Sequence, residues 1–241
     1  PPAGAMIDYW LKDNSGEPVT ITVRDSEGHT VRRFSSDEKP DSLPADRYFE
    51  EAWLGKAPRL SGTSGMHRFV WDLRFSRPAA LNYGYSIAAV WGEGTPIEPE
   101  GPLVLPGSYT VTLCVGGKDY AQQLEVKLDP RVHVGEGVLR EQLAFARKIQ
   151  DASEKGLSAY KTIARTIKDQ KGSLPAATVD SLSAIADKGK PSLSSVIGVL
   201  TGLLGAVQSA DAAPTQGQRH VFSDYQAQIE TLLGRLRRIQ Y

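Results

Sequence analysis

The residues able to carry chemistry are few and scattered. His29, His67, His133 and His220 fall in a turn, at a strand start, in a linker and at a helix start. None has H-E-x-x-H or comparable ligand spacing, so no zinc site is expected. The single cysteine, Cys114, rules out an internal disulfide and any multi-cysteine metal site. It sits in a strand-like run, where a small buried or half-buried thiol is expected rather than a nucleophile. Gly62-Thr63-Ser64-Gly65 lacks the lysine of a phosphate cradle and misses the register of G-x-S-x-G, while Gly202 and Gly205 fall inside a helical pattern. Nucleotide binding and serine hydrolysis are therefore unsupported, and no cofactor and no catalytic residue are expected.

Sugar hydrolysis is harder to exclude from sequence, because it needs only two carboxylates about 5 to 10 Å apart and leaves no fixed motif. Asp72 alternates to the face opposite Phe69, Trp71 and Leu73, between Arg68 and Arg74, where a surface ion pair is expected. Glu93, Glu98 and Glu100 lie in a proline-rich stretch, and nothing requires them to converge. Tyr83, Tyr85 and Trp91 occupy the long 76–106 connection, and Trp53 the 35–64 connection. Rings in such loops can stack on sugar faces, which makes these four the candidate glycan-binding residues. The alternative is that they plug the open end of the strand region or glue it to the helices.

The elements that would position these residues follow from hydrophobic rhythm. Before residue 130 the period is two. Ile7, Tyr9 and Leu11 alternate with polar or outward positions, as do Val19, Ile21 and Val23, and a turn at Asp25-Ser26-Glu27-Gly28 returns the chain through Val31 to Phe34. Phe69, Trp71 and Leu73 form another inward row. Tyr109, Val111, Leu113 and Val115 lead into Gly116-Gly117 and back through Leu124 and Val126. The spacing predicts six strands, enough for a small antiparallel β-sandwich joined by hairpins and longer crossovers, with a barrel as the alternative, and a short helix at Ala45 to Leu54 inside the first long connection.

After Leu128-Asp129-Pro130 the period changes to about three and a half. A first helix is predicted over 137–171, with Leu139, Leu143, Ala146, Leu157, Tyr160, Ala164 and Ile167 on one stripe. A second opens at Leu174-Pro175 and ends at Gly189; a third begins at Pro191-Ser192 with Leu193, Val196, Ile197, Leu200, Leu204 and Val207 inward. Thr215 and Gln218 form a capping box for a fourth, whose seam runs Phe222, Tyr225, Ile229, Leu232, Leu236, Ile239. Arg235, Arg237 and Arg238 lie near the negative pole of that helix. The fold class expected is β plus α in two domains: a β-sandwich over 1–131 and an antiparallel bundle of three to four helices over 132–241.

Charge narrows the partners. Lys plus Arg and Asp plus Glu number 28 each, so no global field gathers nucleic acid or an anionic membrane. The longest apolar stretch, Val196 to Val207, is broken by Thr201 and glycines and is too short for a span of about 20 residues. The sequence opens at Pro1-Pro2-Ala3-Gly4 without an initiator Met or signal peptide, which suggests a trimmed or excised fragment.

Several blocks in order carry a family resemblance: Pro1-Pro2-Ala3-Gly4-Ala5 leading to Tyr9; Arg68-Phe69-Val70-Trp71-Asp72-Leu73-Arg74; Gly101-Pro102-Leu103-Val104-Leu105-Pro106-Gly107-Ser108-Tyr109; and Val126-Lys127-Leu128-Asp129-Pro130-Arg131. They resemble the C-terminal region of large bacterial proteins with sialidase-type (BNR, Asp-box) or sortilin-like β-propellers, often labelled glycosyl hydrolases. The likeness covers residues 1–131 and continues loosely to Ala213-Pro214-Thr215. It implies an immunoglobulin-like sandwich similar to that of flagellar hook-capping proteins, and an exported, extracellular or periplasmic parent whose propeller precedes Pro1 and holds any active site. No Asp-box repeat lies in this chain, so Trp71, Asp72, Arg74 and Pro106-Gly107 carry over as framework residues only. The expectation is a non-catalytic accessory module that packs on the propeller or pairs subunits through the helical bundle. The alternative is a carbohydrate-binding module of a glycoside hydrolase.

Overall fold

The computed structural model describes residues 4–39, 59–85, 97–170 and 172–239, and shows a mixed β and α chain. Trp53, Trp91 and the expected helix at 45–54 lie outside the described residues. Eight strands occur among those described: β1 Ala5–Leu11, β2 Thr20–Arg24, β3 Thr30–Ser35, β4 Gly65–Trp71, β5 Gly84–Tyr85, β6 Ile97–Glu98, β7 Gly107–Val115 and β8 Lys118–Val126. The two-residue strands β5 and β6 pair with each other inside the proline-rich connection, where no strand is predicted. Two residues are too few to show any alternation.

β1 pairs antiparallel with β4, and the other long strands form one sheet in the order β3-β2-β7-β8. The inward rows of both sheets meet in a single cluster, in which Ile21, Val23, Phe69 and Trp71 are fully buried. Trp71 meets Tyr109 edge-on at 5.7 Å, and Phe34 meets Phe69 at 4.6 Å. Gly116 and Gly117 take φ values of 53° and 73°, the two successive left-handed residues that a tight β7–β8 hairpin requires.

Beyond β4 the Trp71-to-Arg74 block turns sharply instead of continuing as strand. Leu73 adopts φ 57°, and the Trp71 indole donates to the Arg74 carbonyl at 3.0 Å. Two further bonds cross this turn, from Phe75 N–H to the Pro102 carbonyl and from Val104 N–H to the Leu73 carbonyl, both 2.9 Å. The Arg74 guanidinium reaches the Gly101 carbonyl at 2.9 Å and Glu100 at 3.0 Å. A Cβ on Gly101 would stand 2.1 Å from the Phe75 carbonyl oxygen, so only glycine permits the crossing. The expected Asp72 ion pair with Arg68 and Arg74 is corrected by this geometry. Asp72 accepts the Arg74 backbone N–H at 3.1 Å, while Arg74 turns to Glu100 and Arg68 to Asp8. Once the backbone leaves the pleat at Leu73, strand alternation no longer places these charges side by side.

Four α-helices follow: α1 Glu136–Asp169, α2 Ala176–Ser183, α3 Leu193–Val207 and α4 Gln216–Arg237, with a π-helical turn at Ala184–Lys188 after α2. They enclose a second apolar cluster in which Ile149, Leu182, Leu193, Val196, Leu200 and Leu232 have essentially no exposure. Ser192 caps α3 and Thr215 caps α4, each with the reciprocal bond of a capping box, from Ser195 and Gln218 respectively. The inward rows of α3 and α4 are those the spacing predicts. That of α1 is met in part: Leu139, Ala146 and Leu157 are buried as the spacing predicts, while Phe145, Ile149, Gly156 and Ile163 are buried beside them and Ala164 is exposed. A helix packed against several others buries a wider stripe than one seven-residue seam, so neighbours of the predicted row are covered as well. The close approach is at Gly156, where an added Cβ would lie 3.2 Å from Ile197 and 3.3 Å from Ile229.

Backbone contacts divide the chain into two compact units, Pro1–Ser76 with Tyr85–Val132, and Arg77–Gly84 with His133–Tyr241. The strand rhythm assigned Arg77–Gly84 to the first part, but Leu81 from this excursion packs on the helical cluster. By length and composition alone, the helical stretch Ala176–Val207 is apolar enough to cross a membrane. Its apolar side is packed within the helical unit.

Candidate docking face

Strand alternation gives the β1–β4 sheet one face in the strand core and one in water. The register opposes Met6 to Val70, Asp8 to Arg68 and Trp10 to Met66, all outward. Trp10 is 64 % exposed, Met66 69 % and Met6 49 %. Between the two apolar rows Arg68 donates from Nε and Nη2 to the two Asp8 carboxylate oxygens, both at 2.7 Å. This bidentate bond holds the Asp8 carboxyl below its ordinary value and raises Arg68. The face therefore consists of apolar, paired-charge and apolar rows with no net charge. Met6 and Met66 are the only methionines in the chain, and both lie here.

The sequence does carry a signal for Trp10 and Met66. The alternation that turns Tyr9 and Leu11 inward must turn Trp10 outward, and the row through Phe69 and Trp71 does the same for Met66 and Arg68. A single exposed apolar residue is ordinary, but a Trp and two Met on one face are a patch.

The expected glycan residues are placed only in part. Tyr83 belongs to the helical unit and is 43 % exposed. Its hydroxyl donates to the Pro78 carbonyl at 3.1 Å, and the Arg77 guanidinium lies 5.6 Å from its ring centre. Tyr85 contributes backbone to β5, and Trp53 and Trp91 fall outside the described residues.

Other chemistry-bearing residues stay dispersed. No group of three or more His, Cys, Asp or Glu residues among those described could hold a metal. His29 faces Asp25 and Glu27, His67 bonds the Thr63 carbonyl, and His220 faces Asp224. A hydrogen bond to Asp119 raises the Cys114 thiol above its ordinary value, the opposite of what activates a nucleophile. In the helical unit an open groove of about 480 Å³ has a floor of Ala184, Ile185 and Ile239 and a rim of Asp180, Arg235 and Arg238. With these geometries set beside known proteins, no family model matches the sequence, and no curated protein matches it either.

Proposed function

We propose that this chain is a non-catalytic accessory module, an immunoglobulin-like β-sandwich followed by a helical bundle, that packs against a protein surface through the outer face of β1 and β4. The observation that carries the reading is the exposed row of Trp10, Met66 and Met6 around the Asp8–Arg68 pair. Trp, Met and Arg are the residue types enriched at protein interfaces, and Met in particular adapts its shape to an apolar partner. A sugar platform would pair flat rings with free polar groups. Here the polar groups beside Trp10 are occupied with each other.

The sandwich reading is supported by the shared core of the two sheets and by Tyr109, whose hydroxyl donates to the Leu105 carbonyl at 2.6 Å. A tyrosine bonded to backbone a few residues upstream is the corner found in such folds. In the propeller family that the sequence resembles, the surface packed against would be the propeller, and the protein would be exported.

Two assays test the proposal. Arylglycoside substrates should show no turnover, and tryptophan fluorescence titrated with a panel of polysaccharides should not shift. A shift that disappears in Trp10→Ala would replace this reading with carbohydrate binding. Turnover lost in Asp72→Asn would replace it with hydrolysis.

A further inference from the structure

The outer face of β1–β4 is complementary to itself in one orientation. Consider two copies with these faces stacked at about 10 Å, the ordinary spacing of packed sheets. A two-fold axis across the strands would set Asp8 over Asp8 and Arg68 over Arg68, which like-charge repulsion forbids. An axis along the strands sets β1 over β4 of the other copy. Given the register of Met6 with Val70, Asp8 with Arg68 and Trp10 with Met66, every outward residue then meets the partner of its own row.

Building on the docking reading above, we propose that the occupant of this face is a second copy of the chain. The two-fold axis runs along the strands, so that Asp8 meets Arg68 of the partner subunit and Trp10 meets Met66 of the partner subunit. The two intrachain ion pairs become a four-charge square. Each Trp ring gains a thioether contact, and each carboxylate keeps its own guanidinium, so association strands no charge. The contact is isologous, the commonest symmetry of soluble oligomers.

Size sets the strength. Seven residues per strand at about 3.4 Å and two strands at about 4.8 Å give a footprint of about 230 Å² per copy. That is roughly 0.3 of the 800 Å² per partner typical of stable complexes, so the association is expected to be weak and transient.

The test is sedimentation equilibrium on the 241-residue chain up to about 1 mM. Wild type should show a monomer–dimer equilibrium that Trp10→Ala abolishes. Asp8→Arg alone and Arg68→Asp alone should each weaken self-association by about tenfold or more, because each places like charges across the axis. Mixed together they should dimerise with each other, since position 8 of one then opposes unlike charge at position 68 of the other. Exposed ion pairs add little to folding stability, so both variants should keep the wild-type circular dichroism. Failure of the mixture to dimerise, or a wild type that stays monomeric throughout, overturns the second-copy assignment. Either result leaves the docking reading intact unless the glycan titration also shifts.

Discussion

The helical unit and the strand unit treat their apolar residues differently. Along α3 and α4 the predicted inward residues find partners inside the unit, and what remains outside is small, polar or charged apart from the marginally exposed Val199. The β1–β4 sheet buries Tyr9, Leu11, Phe69 and Trp71 on one side yet leaves Trp10, Met66 and Met6 in water on the other. A helix can confine its apolar residues to one stripe, whereas a strand shows every second residue to the opposite side. The difference is what the proposed docking rests on: the sheet face still carries exposed apolar area, whereas the helices leave little outside.

The largest expected effect separates framework from surface. Trp71→Ala, removing a side chain with no exposure, should lower unfolding free energy in urea by about 3–5 kcal/mol, whereas Trp10→Ala should change it by less than about 0.5. Similar losses for both would erase the distinction between the two faces. Next, Gly101→Ala forces a Cβ into the Phe75 carbonyl and should cost about 1–3 kcal/mol by the same measurement. In the helical unit, Thr215→Ala should cost about 1 kcal/mol through loss of the α4 cap. Gly198→Ala and Gly202→Ala, where an added Cβ meets nothing, should each stabilise by about 0.5–1 kcal/mol in thermal melts read at 222 nm. Destabilisation there would mean that the exposed α3 face is covered.

The smallest effect concerns pH. Arg68 holds the Asp8 carboxyl below its ordinary 3.8, so the pair's contribution is fully present above that value and is lost as pH falls through the lower folded one. The melting difference between wild type and Asp8→Asn should therefore be constant from neutral pH to about 4 and shrink below it.

Much of the fold was legible because hydrophobic rhythm survives in long elements. The capping box at Thr215 and Gln218, the inward row of α3 and the hairpin at Gly116-Gly117 appear as read. What was not legible depends on contacts between distant residues. The left-handed turn at Leu73 exists because 101–104 crosses it, and the burial of Ile163 depends on the helices that close the second apolar cluster around it. The candidate face was half legible: alternation placed Trp10 outward, but only the β1–β4 pairing brings it beside Met66 and sets Asp8 against Arg68.

Peroxide oxidation of Met6 and Met66, followed by mass spectrometry over protein concentrations from about 1 µM to 1 mM, tests the docking face most directly, because the chain has no other methionine. Occupation of the face by a second copy predicts that both rates fall together as concentration rises, and that the fall vanishes in Trp10→Ala. Rates that stay equal to those of an exposed methionine at every concentration would contradict it.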